Sequence, residues 1–297
     1  MEYRYLGRSA LKVSPLCLGA MMFGGETDEP TSRRIIDKAL EQGVNFIDTA
    51  DVYHKGRSEE VVGRAVAARR DDWVIASKFG NALGDGPNQR GQSRKWIYQS
   101  VEDSLRRLGT DYLDILYFHR TDVAAPLEEG LRAVGELIRQ GKVRYYGLSN
   151  FRGWRIAEVV RLADQLGMDR PICSEPLYNL VDRTAEVEQL PVAGHFGIGV
   201  VPYSPLARGI LTGKYRPGAE PPVDSRVGRG DKRIHQTEWR PESLQIAQRI
   251  AEHAVARGTT PAAFALAWVL NNPLVSSIIA GPRTEEHLSL IHISEPT

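Results

Sequence analysis

Four side chains in the first 120 residues could work together as an acid: Asp48, Tyr53, Lys78 and His119. Asp48 ends the apolar run Val44-Asn45-Phe46-Ile47, Lys78 follows Val74-Ile75-Ala76-Ser77, and His119 follows Ile115-Leu116-Tyr117-Phe118. Three of the four therefore stand where a buried strand stops, and Tyr53 lies five residues past Asp48. Taken singly, each has an ordinary explanation: Asp48 as a turn cap, Tyr53 as packing, Lys78 and His119 as solvated strand ends. Taken together they describe a proton donor. A phenol with a pKa of roughly 10 gives up its proton poorly at neutral pH. A lysine cation beside it lowers that value by stabilising phenolate, and Asp48 would hold Lys78 charged and in place. His119 would donate a hydrogen bond to a substrate carbonyl oxygen and orient it. Reduction of a carbonyl needs all of this plus a hydride, which no side chain supplies, so a cofactor is required.

The elements that must position these groups alternate. After a short hairpin over residues 3–13 with its turn at Gly7-Arg8-Ser9, strand-like runs occupy 16–18, 44–47, 73–77, 113–118, 143–148, 172–174, 198–202 and 277–279. Helix-like runs lie over 32–42, 58–69, 95–108, 127–140, 154–166, 184–193, 242–257 and 261–271. Eight strand–helix units predict a parallel sheet, and their closure in one domain favours an α/β fold of the (β/α)8 TIM-barrel type over an open sheet. The tips of its strands converge on one mouth. Gly19, Gly24 and Gly25 follow the first strand, but no helix opens behind them as a dinucleotide fingerprint requires, which disfavours a Rossmann domain. Residues 79–93 and 206–240 are too long for plain connectors and are expected on the active face.

At 297 residues and 42 % hydrophobic, the chain can bury one large core. No stretch approaches roughly 18 apolar residues and the N-terminus lacks a signal-peptide core, so no membrane association and a cytoplasmic location are expected. Cys17 and Cys173 sit in apolar runs without metal-ligand spacing and read as buried thiols. A net charge of +1 provides no global field to recruit nucleic acid.

Several blocks in order then carry a resemblance: Gly43-Val44-Asn45-Phe46-Ile47-Asp48-Thr49-Ala50, Ser77-Lys78, Tyr112-Leu113-Asp114, His119, Gly147-Leu148-Ser149-Asn150 and Pro202-Tyr203-Ser204-Pro205-Leu206. From about Tyr3 to Glu286 the chain resembles the aldo-keto reductase family, closer to its bacterial and channel-subunit-like branches than to mammalian aldose reductase. The resemblance implies NADP(H) as cofactor and a small-molecule carbonyl compound as substrate. It makes Asp48, Tyr53, Lys78 and His119 the catalytic tetrad, with Tyr53 as general acid. It also implies that Ser149 and Asn150, with Glu175, meet the nicotinamide carboxamide and that Tyr203 stacks on the ring. Ser204, Leu206, Arg208, Gly209, Leu211 and Lys214 match the pyrophosphate loop. Gly281, Arg283 and His287 match the adenosine-phosphate loop, where Arg283 meets the 2′-phosphate. Gly19, Ala20 and Met21 complete the implied cofactor contacts, with Asp48. Met22, Phe23, Tyr53, His119 and Trp154 would line the substrate pocket.

Two departures stand out. Glu175 occupies a position where the family usually has Gln, and an ionised Glu only accepts hydrogen bonds. Leu290 and Ile291 stand where the family has a Glu and an Asn that hold the adenine, and residues 288–297 read as an in-frame translation of a transposon-type sequencing adapter. The barrel domain is accordingly expected over 1–287, with a non-native tail over 288–297 and an eighth helix cut after about one turn. Two rival readings remain: an NADP-binding redox sensor or regulatory subunit with little turnover, and a barrel lyase using Lys78 for a Schiff base. The latter needs a desolvated lysine of lowered pKa, against the proposed Asp48 pairing.

Overall fold

The computed structural model describes residues 1–216 and 218–291. A two-stranded hairpin, β1 (Arg4–Tyr5) and β2 (Lys12–Val13), precedes the strands β3 (Leu16–Gly19), β4 (Phe46–Asp48), β5 (Val74–Phe79), β6 (Leu113–Phe118), β7 (Val143–Ser149), β8 (Cys173–Glu175), β9 (Gly199–Val200) and β10 (Ile278–Ala280). The last eight form one parallel sheet in sequence order with β10 beside β3. Bridges Val200–Val275 and Tyr203–Ile279 bring its two ends together. The fold is the α/β (β/α)8 barrel expected from the alternation.

Period-2 alternation divides the barrel into an inside and an outside. Cys17, Phe46, Val74, Ala76, Ile115, Tyr117 and Cys173 form the inner core, whereas Leu18, Ile47, Ile75, Leu116 and Leu148 pack outward among the helices. Carrying the parity on, the next inward positions toward the mouth are Gly19, Asp48, Lys78, His119 and Glu175. Register keeps them level, with Gly19 opposite Asp48 and Ser149 opposite Glu175. At Gly147 a Cβ would lie 2.5 Å from the Tyr117 ring and 2.6 Å from the Cys173 sulfur, so only glycine lets β6, β7 and β8 bring these side chains together. The opposite end is closed by the hairpin, whose Leu6 and Val13 join the inner core.

The helices are α1 (Glu29–Glu41), α2 (Arg57–Val66), α3 (Arg94–Leu108), α4 (Leu127–Arg139), α5 (Gly153–Leu166), α6 (Gln189–Phe196), α7 (Lys232–Thr237), α8 (Pro241–Ala256), α9 (Pro261–Leu270) and α10 (Glu285–Ile291). Among the described residues no helix is long and apolar enough to cross a membrane. Two expectations are corrected. The single helix over 184–193 is a short 3₁₀ turn followed by α6, with Pro191 in the first helical turn where its missing N–H has no partner to lose. Residues 206–240 are not one loop: they carry a 3₁₀ segment at Ala207–Thr212 and α7, which Asp231 caps.

The eighth helix extends further than the single turn expected. It reaches Ile291, and Leu288 is fully buried in the outer core. Arg34 of α1 pairs with Glu285 at 2.7 Å, and Lys38 donates to Ser289 at 3.2 Å. Residues 292–297 and the side chains of Leu290 and Ile291, where loss of an adenine clamp is expected, lie outside the described residues. Because Leu288 packs as a core leucine, Leu288→Ala should cost about 2–5 kcal/mol in urea unfolding. A loss below about 0.5 kcal/mol would place residue 288 among indifferent surface positions instead.

Candidate active site

Lys78, with no exposed surface, organises the mouth. Its ammonium donates to the Asp48 carboxylate, to the Thr49 carbonyl at 3.0 Å and to the Tyr53 hydroxyl at 3.3 Å. Tyr53 meets His119 edge to face, with ring centroids 5.9 Å apart. The three strand-end residues and Tyr53 are thus brought together, and Glu175 stands with them, its Oε2 3.7 Å from the ammonium.

A strained turn delivers Tyr53. The Asp51 amide donates to the Lys78 carbonyl and the Tyr53 amide to Ala50. His54, Lys55 and Gly56 then take positive φ values of 48°, 57° and 90°. Left-handed backbone at a non-glycine residue costs about 1–3 kcal/mol and persists only where surroundings enforce it. Beneath the turn lies a buried network absent from the sequence reading: Arg107 pairs with Glu59 at 2.6 Å, Glu59 accepts from Ser77 at 2.5 Å, and Ser100 donates to Asp51 at 3.0 Å. A Cβ on Gly56 would sit 2.6 Å from the Arg107 side chain. Burial, reinforced by Glu59, pushes Asp51 up to about 7.

Electrostatics follow from dry packing. Burial alone would lower Lys78, but the neighbouring acidic groups, Asp48 foremost, carry it well above the ordinary lysine value, so it is a firm cation. Burial raises Asp48 against the pull of Lys78. The expectation that Lys78 brings Tyr53 below a free phenol is corrected: burial raises Tyr53, and Asp48 and Glu175 offset much of the lysine's lowering effect. Burial, then Lys78 and Arg120, takes His119 down to about 3, so its imidazole is neutral. One ring nitrogen can then carry a hydrogen to donate.

The rim gathers many of the other expected residues. Asn150, at φ 60°, donates to the His119 carbonyl at 2.9 Å and to Ser149 Oγ at 3.0 Å. Ser149 Oγ donates to the Glu175 carbonyl at 3.3 Å, and Tyr203 donates to Asn150 Oδ1 at 2.9 Å. Ser204, Ala207, Arg208 and Gly209 all have positive φ, forming a tight turn after β9. A Cβ on Gly209 would sit 2.9 Å from the Lys214 ammonium, so that cation lies against bare backbone. Loss of solvent and the neighbouring Arg226 and Arg229 pull Lys214 below the usual lysine range. Arg283 is half-buried and donates to the Asp224 carbonyl at 3.5 Å, while His287 senses Lys214. Ala20 is buried, Met21 is exposed, and Gly281 backs onto the Gly19 carbonyl.

Other expected residues have partners within the protein. Arg208 is taken by Glu238 at 3.0 Å, tying the turn to the end of α7. Leu211 is buried in a satellite core with Ala207, Ile210 and Tyr215, and half-buried Leu206 packs against it. Phe23 is fully buried in the outer core, so it does not line an open pocket, whereas Trp154 is 58 % exposed. Met22 is buried with its sulfur 3.9 Å from Arg226. Arg226, which also pairs with Asp231 at 2.9 Å, was not singled out from the sequence; its only signal was membership of the long 206–240 segment.

The parallel eight-stranded barrel carries Asp48, Lys78, Tyr53 and His119 at the C-terminal end of its strands, the end at which (β/α)8 barrels hold their functional sites. The sequence model of the Aldo/keto reductase family matches residues 15–291, and the chain belongs to that family, whose members are oxidoreductases that generally bind NAD(P)H. It is 40 % identical to the probable voltage-gated potassium channel subunit beta of Arabidopsis thaliana, over 97 % of this chain and 89 % of that protein. It is also 40 % identical to the uncharacterized oxidoreductase YrpG of Bacillus subtilis (strain 168), with the same coverage, and 36 % identical to a putative potassium channel subunit beta of Schizosaccharomyces pombe.

Because His119 is held neutral, its imidazole NMR signals should show no protonation step between about pH 5 and 8, where an ordinary histidine titrates. A midpoint near 6.5 would contradict the desolvated placement.

Proposed function

We propose that this chain is an NADPH-dependent reductase of aldehydes and ketones, with Tyr53 as general acid. The observation that carries this reading is the Lys78 ammonium, which bonds to both the Asp48 carboxylate and the Tyr53 hydroxyl in a dry site. The residues present fit a nicotinamide dinucleotide. Ser149 and Asn150 offer donors and acceptors suited to an amide. Lys214 and Arg283 offer charge to phosphate, and no ion pair engages either among the described residues. A bound reduced nicotinamide supplies the hydride. Tyr53 gives its proton to the carbonyl oxygen as negative charge develops there, and Lys78 stabilises the phenolate left behind. Asp48 keeps Lys78 charged and pointed at the hydroxyl. Neutral His119 donates to the same carbonyl oxygen and holds it toward Tyr53. The raised Tyr53 value keeps the phenol protonated, as an acid must be, at neutral pH.

A second reading, an NADP-binding redox sensor or regulatory subunit with little turnover, is favoured by the names of the plant and yeast relatives. Turnover separates the two. Tyr53→Phe should reduce aldehyde reduction by more than about tenfold while NADPH affinity stays nearly unchanged, since general acids typically contribute 10²–10⁴-fold. Retention of more than about a tenth of wild-type turnover would remove Tyr53 from that role. The second reading gains if the wild type binds NADPH yet reduces no reactive aldehyde.

Cofactor choice rests on Arg283. A charge-assisted contact with the 2′-phosphate contributes about 1.5–3 kcal/mol, or roughly ten- to a hundred-fold in affinity. Calorimetry should show NADPH preferred over NADH by about that factor, and Arg283→Ala should erase most of the preference. Equal affinities in the wild type would refute the assignment.

A further inference from the structure

Glu175 is the leftover member of the catalytic cluster. An ammonium has three N–H groups, and those of Lys78 go to Asp48, the Thr49 carbonyl and the Tyr53 hydroxyl. Glu175 Oε2 lies 3.7 Å away and has no hydrogen-bond partner among the described residues; its side chain is 4 % exposed. Around it stand Asp48 from β4, Lys78 from β5, Cys17 from β3, Tyr117 from β6, Ser149 from β7, Cys173 from its own strand, and Tyr53 and Tyr203 from the loops. Lys78 is the one cation in that set, and burial keeps both thiols and all three phenols protonated. Two ionised carboxylates would leave a net negative charge beside the one ammonium, which bonds to Asp48 and lies 3.7 Å from Glu175, in a place where an unpaired charge is expensive.

We propose that Glu175 stands in this site as an uncharged carboxylic acid, and that its proton is a switch: while it is present Lys78 acts on Tyr53 against one carboxylate, and once it is lost two carboxylates outweigh the Lys78 charge. A protonated carboxyl has one O–H donor and an accepting oxygen, the complement that a Gln amide would present at this position. Burial raises Glu175 well above an ordinary glutamate, with Asp48 adding to the rise and Lys78 opposing it. Glu175 acts through Lys78, so it is a positioning residue. The protonation half rests on the 3.7 Å separation from Lys78 and on the buried Oε2, which lacks a partner among the described residues. The switch half rests on the reading of Tyr53 as the acid.

The test compares the wild type with Glu175→Gln. First, unfolding is followed against pH without cofactor. A group whose folded pKa lies above its unfolded value of about 4.3 stabilises fully below that value, and the contribution is lost as pH rises through the folded pKa. The Gln variant lacks this loss, so its stability should gain on the wild type steadily above about pH 5. A gap that stays flat above about pH 5 overturns the protonated carboxyl. If Gln disturbs folding, Glu175→Met, of similar length and uncharged, should show the same trend. Second, Tyr53 ionisation is read from the phenolate absorbance difference against Tyr53→Phe, in both Glu175 backgrounds. Tyr53 should ionise at least about one pH unit earlier when residue 175 is Gln, since the phenol then feels Lys78 opposed by one carboxylate. Coincident titrations overturn the switch. Earlier ionisation in a protein that reduces no aldehyde supports the switch and counts against the reductase reading, so the two fail separately.

Discussion

The ion pair between Lys78 and Asp48 is the constraint on which the mouth of this barrel depends. Both groups are out of water, and removing one partner of a buried pair typically costs about 3–5 kcal/mol. A pair of that kind is tolerable only if every N–H of the ammonium is used. Here the second and third go to the Thr49 carbonyl and the Tyr53 hydroxyl. Satisfying the lysine therefore fixes where the chain leaves β4 and where the tyrosine must come to rest. A requirement of desolvation physics fixes the place of the Tyr53 hydroxyl.

Position alone would not hold the tyrosine there, because the turn that carries it stores strain at His54 and Lys55. The restraint comes from below. Arg107, Glu59, Ser77, Ser100 and Asp51 form a second buried polar network that ties the turn to α2, α3 and β5. Ser77 and Lys78 are neighbours pointing to opposite faces of β5, so one strand serves both sets of bonds: Lys78 inward to Asp48 and Tyr53, Ser77 outward to Glu59. Buried polar groups bonded in this way are costly to perturb.

Much of this was legible because the barrel converts a period of two into a place. The strand ends at Asp48, Lys78 and His119 could be read from apolar runs, and parity carries all three inward. Tyr53 was harder, since it sits on a turn whose path depends on Arg107 and Glu59, which no local pattern connects to it. Arg208 reads as a free cation in a Gly-rich segment, but its partner Glu238 is 30 residues away, and no spacing rule links them. Phe23 follows the first strand toward the mouth, yet the bridge between Phe23 and Thr27 turns it back into the core. Leu288, at the start of the stretch expected to be non-native, lies in α10 and is buried in the outer core, a packing that local sequence patterning does not announce.

Three of the buried polar atoms that lack a partner among the described residues gather at the mouth of the barrel. Around the rim most groups are already engaged: Asn150 with His119 and Ser149, Tyr203 with Asn150, Arg208 with Glu238. Against that background Asp48 Oδ1, His119 Nδ1 and Glu175 Oε2 are buried without partners among the described residues. Buried unsatisfied atoms are rare in folded proteins because each costs about 1–3 kcal/mol. Three on the inward ends of β4, β6 and β8 amount to a standing cost that burial of apolar surface elsewhere must offset. A bound group that hydrogen-bonds to even one of them recovers part of that cost, so the energy that the barrel spends holding the mouth unsatisfied returns as affinity for what fills it.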